Sequence, residues 1–279
     1  MKLFLLALSC LAALALAEEP ILLHYHENAG IRQAELIRQT EQAIDFDGTR
    51  IVGGSAARVG QYPYLGGLVI TLQNGATSVC GSSMVTNNRA VTAAHCWWDG
   101  RNQARQFTVV LGSVRLFSGG TRINTNSVAM HGSYNPSNLA NDIAVINMNW
   151  VNFSNVIGRI NLASGNNNFA GTWAMAAGFG RTGDSAGIGQ NQILSHVSLQ
   201  VITNAVCRNT FGNTIRDSTL CVSGAGGRNI CQGDSGGPLA VGSTLIGVTS
   251  FTSARGCQAN LPSGFARVTY FNAWIRSRL

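Results

Sequence analysis

Beyond residue 50 the apolar positions fall in short runs separated by turn residues, in a background rich in Gly, Ser, Thr, Val and Asn. VTAAHC (91–96), DIAVINM (142–148) and ILSHVSLQ (193–200) are of this kind. Runs of that length between turn signals predict strands and an all-β body. Two stretches have a different period. In AELIRQTEQAI (34–44) the apolar residues recur at helical spacing, which predicts a helical or partly disordered leader. In VTYFNAWIRSRL (268–279) Phe271, Trp274, Ile275 and Arg278 share one helical face, which predicts a docked terminal helix. The Asn-rich SGNNNFAG (164–171) reads as an exposed connection between two halves.

At 279 residues the chain is long enough for one large β unit or two small barrels. Residues 1–17, MKLFLLALSCLAALALA, carry one cation, an apolar run and a small-residue exit, the layout of a secretory signal. A secreted, extracellular product is expected, with no membrane anchor. Cys10 leaves with the signal, and Cys80, Cys96, Cys207, Cys221, Cys231 and Cys257 remain. An even number in an exported chain predicts three disulfides, with 15 connectivities open to spacing alone. Zinc is the competing use, and the Cys-x-x-Cys spacing it favours is missing.

Charge divides at Arg50. Residues 18–50 hold seven acids against three Arg, a net of −4. Residues 51–279 hold 15 Arg and five Asp with no Lys and no Glu, a net of +10, so the two segments should attract each other. A body this basic could draw nucleic acid or an anionic membrane, yet no clustered basic run supports either partner.

The candidate chemistry lies in CQGDSGGPLA (231–240). Glycines on both sides of Ser235 permit a tight turn and close backbone approach, exposing the hydroxyl to a ligand. A serine nucleophile needs a base. Of His95, His131 and His196, the first ends an apolar run beside a cysteine, whereas the others read as a solvated turn and an exposed strand face. An orienting carboxylate must then come from Asp99, Asp142, Asp184, Asp217 or Asp234. Asp142 opens a buried strand, where an acid needs a partner, and Asp99, Asp184 and Asp217 read as turn formers.

IVGG (51–54), TAAHC (92–96), NDIAVI (141–146) and GDSGGP (233–238), in that order, resemble the S1 family of chymotrypsin-like serine proteases. The likeness covers essentially all of 51–279. It implies two six-stranded antiparallel β-barrels with the active site between them, an N-terminal barrel over about 51–163, a C-terminal one over about 164–266 and a helix over about 267–279. It implies bridges Cys80 to Cys96, Cys207 to Cys221 and Cys231 to Cys257. It further implies Ser235 as nucleophile, His95 as base, Asp142 as its orienter, and the N–H groups of Gly233 and Ser235 as the oxyanion hole. DGTRIVGG (47–54) then becomes an activation junction. Cleavage after Arg50 by a trypsin-like protease would free the Ile51 amine to pair with Asp234. The leader 18–50, which has no cysteine, would depart.

In this resemblance the base of the primary pocket is Asn229, where trypsin-like members carry Asp. Thr252 and Ser263 stand where a wide pocket usually has glycines. Cleavage after Phe, Tyr or Leu is expected, with an elastase-like or collagenolytic preference as the competitor. Ser250, Phe251 and Thr252 should pair with an extended substrate. A catalytically dead homologue acting as a basic binding or immune protein is the rival of another class, and the complete set of motifs speaks against it.

The all-Arg surface keeps its charge where Lys loses it, which suits the alkaline gut lumen of relatives from caterpillar midgut; chance composition is the alternative. Asn152 begins a glycosylation sequon. Residues 112–126 lack the acids of some relatives' calcium site, and neither a metal nor an organic cofactor is expected. The expected partners are protein and peptide substrates, an activating protease and protein protease inhibitors, and the enzyme is expected to be a monomer.

Overall fold

A computed structural model of the chain describes residues 20–42, 55–184 and 193–279. The signal segment, Arg50 and Ile51 lie outside the described residues. The leader forms one π-type turn, His26–Gly30, that runs directly into α1 (Ile31–Gln42). Residues 31–42 contain no Gly or Pro, and Gln33, Ala34, Ile37 and Thr40 repeat at helical spacing. That is the face the helix buries.

After a short β1 (Ser55–Ala56) come β2 (Leu65–Leu72), β3 (Thr77–Thr86), β4 (Arg89–Thr92), β5 (Ala104–Leu111), β6 (Thr121–Thr125), β7 (Ser127–Met130) and β8 (Ala144–Asn147). Strands β2 to β8 form one antiparallel sheet in the order β6-β5-β2-β3-β4-β8-β7. Its two edges are neighbours in the chain, separated only by Asn126, so the sheet curls into a half-barrel. Leu68, Ile70, Phe107, Val109 and Val145 fill it and are fully buried. Each such side chain contributes about 1.5–3 kcal/mol on leaving water.

The remainder supplies β9 (Asn161–Leu162), β10 (Trp173–Gly178), β11 (Ser195–Ile202), α2 (Asn204–Phe211), β12 (Thr219–Val222), β13 (Pro238–Val241), β14 (Thr244–Phe251), β15 (Ser263–Arg267) and α3 (Val268–Arg276). Here the order is β1-β11-β10-β13-β14-β15-β12, and β11 also pairs with β12, which closes a six-stranded barrel. The terminal helix is present where the pattern placed it. Phe271 and Ile275 are buried, and the Arg278 guanidinium lies over the Trp274 ring at 4.1 Å. The pattern does not announce α2. It is short, and it is held by the Thr203 side chain accepting from the Val206 N–H and by the Cys207–Cys221 bridge. The other bridges are Cys80–Cys96 and Cys231–Cys257.

Candidate active site

The turn carrying Ser235 is built by its glycines. Gly233 and Gly236 adopt φ of +103° and +77°, in the left-handed half of conformational space. A side chain at Gly236 would meet Thr92 and the Gly81 carbonyl. Backbone bonds fix the turn between the sheets: Gly81 N–H donates to the Ser235 carbonyl (2.7 Å) and Gly236 N–H to that of Thr249 (2.8 Å). One residue thus touches β3 of the half-barrel and, through its neighbour, β14 of the closed barrel.

His95 sits on a single 3₁₀ turn (Ala94–Cys96) at the end of β4, tied to β3 by the Cys80–Cys96 bridge. Its N–H donates to Asp142 Oδ1 (2.9 Å) and its Nδ1 pairs with Asp142 Oδ2 (2.7 Å). Both side chains are almost fully buried. The Ser250 hydroxyl donates to the same Oδ2 (2.6 Å). Sequence reasoning placed Ser250 along a substrate strand and missed this contact, which only the fold of β14 against Asp142 creates. His95, Ser235, Ser250, Phe251 and Thr252 line one cleft. His131 lies elsewhere, accepting from Ser133 N–H and packing on Phe271 and Trp274, and His196 lies against Tyr62.

Asp234 points away from that cleft. Its oxygens accept from Gly180 N–H (2.8 Å) and Cys231 N–H (2.9 Å). Gly178 and Gly180 form the cradle, since a Cβ at either would collide with the carboxylate. Burial raises the Asp234 carboxyl to about 6, only partly offset by those N–H groups. Asn229 shares this second cavity, its amide donating to the Leu261 carbonyl and its oxygen accepting from Ile230 N–H. Ser263 is fully buried, and its hydroxyl has no hydrogen-bond partner among the described residues. The expected pocket residues therefore divide, with Thr252 at the Ser235 cleft and Asn229 beside Asp234.

The leader occupies the Ser235 cleft. Tyr25 packs against His95 with ring centroids 4.9 Å apart, and its hydroxyl donates to the Val79 carbonyl (2.8 Å). Burial raises the phenol far above its ordinary value, while the Ser235 hydroxyl and Gly233 N–H face it and act in opposition. His95 Nε2 has no hydrogen-bond partner among the described residues. Asp99, read as a turn former, accepts from Arg101 and Asn102 N–H, as such a residue does. It also accepts from His26 N–H of the leader (2.8 Å), which the sequence gives no sign of.

Residues 51–275 match the Trypsin family model. A collagenase of Hypoderma lineatum is 36% identical over 233 residues, covering 81% of this chain and 86% of the relative. Serine protease 1 of Drosophila melanogaster is 38% identical over 234 residues, covering 81% and 84%. Trypsin, alkaline C of Manduca sexta is 36% identical over 245 residues, covering 84% and 92%. A solved structure of HL collagenase superposes with a TM-score of 0.76 at 35% identity, covering 82% of this chain and 98% of that one.

Proposed function

The chain belongs to the trypsin family of chymotrypsin-like serine endopeptidases, and from that premise we propose that it is the secreted precursor of an enzyme cutting dietary protein after Phe, Tyr or Leu. The observation that carries the reading is the convergence of Ser235 and the His95–Asp142 pair at one cleft between the two sheets. In the processed enzyme Ser235 Oγ attacks the scissile carbonyl and His95 Nε2 takes its proton, later returning it to the leaving amine. Asp142 holds the imidazole from both the ring and the backbone side. The N–H groups of Gly233 and Ser235 receive the developing oxyanion.

Activation is the cut after Arg50. The freed Ile51 ammonium would meet the Asp234 carboxyl, which burial raises above its ordinary value and whose hydrogen bonds among the described residues come from backbone N–H groups. That pairing would re-set the Gly233 to Ser235 turn and bring Asn229 into the substrate pocket. The fixed amide of Asn229 offers a Lys or Arg side chain no charge, which supports an apolar preference. The relatives named collagenase support a second reading, a broad collagenolytic specificity on the same machinery. A trypsin-like activator, protein inhibitors and a monomeric state complete the proposal. An alkaline gut lumen draws support from the all-Arg body and from the relative named as an alkaline trypsin.

Trypsin treatment and removal of the leader by repeated dilution and filtration, followed by a serine-directed covalent probe and by cleavage of a peptide library from pH 7 to 11, test the proposal. Labelling of Ser235 after trypsin but not before, with Phe and Leu peptides cut faster than Arg peptides, is expected. Absent labelling, or faster cleavage of Arg peptides, sinks it.

A further inference from the structure

The leader crosses the cleft along a defined path. Ile21 pairs antiparallel with Ser253, Leu22 N–H donates to the Thr252 carbonyl (3.3 Å), and Ala254 N–H donates to that of Pro20 (2.9 Å). An extended ligand adds to an exposed sheet edge in this way. The path then departs from that of a substrate. His24 takes φ of +52°, and Tyr25 enters helical geometry at φ −51°, ψ −45°. The chain therefore leaves the extended conformation where it reaches Ser235, and a phenol stands against His95 in place of a peptide bond.

We propose that residues 20–42 are a peptide inhibitor of the processed enzyme, binding its cleft non-covalently and in trans after the cut at Arg50, with the Tyr25 side chain as the plug. The proposal rests on the reading of this cleft as a protease site. Its support is the extent of the docking. Beyond Tyr25, the His26 ring pairs with the Ser78 hydroxyl (2.8 Å), and Ala34 and Ile37 bury themselves with Leu65, Val79, Leu116 and Phe179. Glu41 accepts from the N–H groups of Leu116 and Phe117 and from the Ser118 hydroxyl. Arg38 lies over the Phe117 ring, and Glu27 faces Arg101 at 3.2 Å.

Every partner in these contacts belongs either to 20–42 or to the body, so cutting after Arg50 removes none of them. The leader has no cysteine to hold it, and its net charge is opposite to that of the body. Processing therefore converts an intramolecular plug into a separate ligand, and full activity requires its dilution or destruction.

The test uses enzyme cut after Arg50 and freed of its leader by repeated dilution and filtration. Synthetic peptides are the 20–42 sequence, the same residues in scrambled order, and the Tyr25→Ala variant. Hydrolysis of a chromogenic peptide reports inhibition, and anisotropy of labelled leader reports binding to processed Ser235→Ala protein. The native peptide is expected to compete with substrate at about 10 µM or below. Tyr25→Ala weakens it about 10- to 100-fold, the loss of one buried aromatic, and the scrambled peptide is inert. Equal potency of native and scrambled peptides, or none from either at tenfold higher concentration, overturns the inference while leaving the enzyme reading intact. Failure of the enzyme reading shows separately, as absent hydrolysis and absent probe labelling. Tyr25-dependent binding to the Ser235→Ala protein would then still support the docking.

Discussion

Ser250 and His95 share one acceptor atom: the Ser250 hydroxyl and the His95 ring both reach Asp142 Oδ2, at 2.6 and 2.7 Å. The carboxylate is thereby held from two strands' ends, which fixes the plane in which the imidazole can sit. Hydrogen bonds to charged groups are worth about 1.5–3 kcal/mol. Asp142 keeps its two bonds to His95 when Ser250 is truncated, so only part of that is lost. Ser250→Ala in the processed enzyme is expected to lower kcat about 3- to 10-fold with little change in KM. Steady-state kinetics on a Phe peptide decide it, and an effect confined to KM would contradict the positioning role.

The Asp234 carboxyl gives the uncut precursor a distinctive pH dependence. Its pKa is about 6 folded against an ordinary 3.8, so the stabilising contribution is complete below 3.8 and is lost as pH rises through 6. Between those limits the loss is roughly 3 kcal/mol. Because His26 and the other groups titrate alike in both proteins, urea unfolding at pH 4 and pH 7 should show the stability of wild type falling relative to Asp234→Asn by about this amount as pH rises. The same variant should resist activation by trypsin. Identical pH profiles for the two proteins would contradict the burial argument.

Much of the site is legible in the chain because its determinants are local. The glycines around Ser235, the cysteine next to His95 and the acid just before β8 each declare a turn, a tether or a buried polar group within a few residues. Long-range approach is not legible. Ser250 meets Asp142 across 108 residues of chain, and Gly178 and Gly180 cradle Asp234 across more than 50. Nothing in either local pattern marks the partner. The leader is the sharpest case. Its charge predicts attraction to the body, yet its helical spacing says nothing of Tyr25 reaching His95. The division of the pocket residues has a similar origin, because the Asn229 amide is fixed by the Leu261 carbonyl, 32 residues further along the chain.

The glycine cradle makes its own prediction. A Cβ at Gly180 would collide with the Asp234 carboxylate. Overpacking of this kind costs about 1–3 kcal/mol. Gly180→Ala is expected to lower precursor stability by that amount and to leave the trypsin-cut protein unlabelled by a serine-directed probe. Thermal unfolding and labelling, run together, separate the two effects. Normal labelling would show that the carboxylate can move without consequence.

Acid should loosen the leader, and His26 is the reason. Burial lowers its imidazole to about 4; the Asp99 carboxylate opposes the shift and the His95 ring adds to it. The Ser78 hydroxyl and the Cys96 backbone, which also opposes the shift, are further polar neighbours from the body, and Glu27 is the adjacent charge on its own segment. Burial alone would raise the Asp99 carboxyl, but N–H bonds from Asn102, Arg101 and His26 and the charge of His26 hold it below its ordinary value. It therefore stays ionised in the range that matters. A histidine whose pKa falls on docking contributes affinity above its free value of 6.5, and that contribution is lost as pH drops through 4. Anisotropy of labelled 20–42 peptide on processed Ser235→Ala protein should show binding about 10- to 30-fold weaker at pH 5 than at pH 8. His26→Gln should flatten the profile, because a neutral amide can still pair with Ser78 but has no proton to gain. A profile unchanged by that substitution would place the titrating group elsewhere in the cleft.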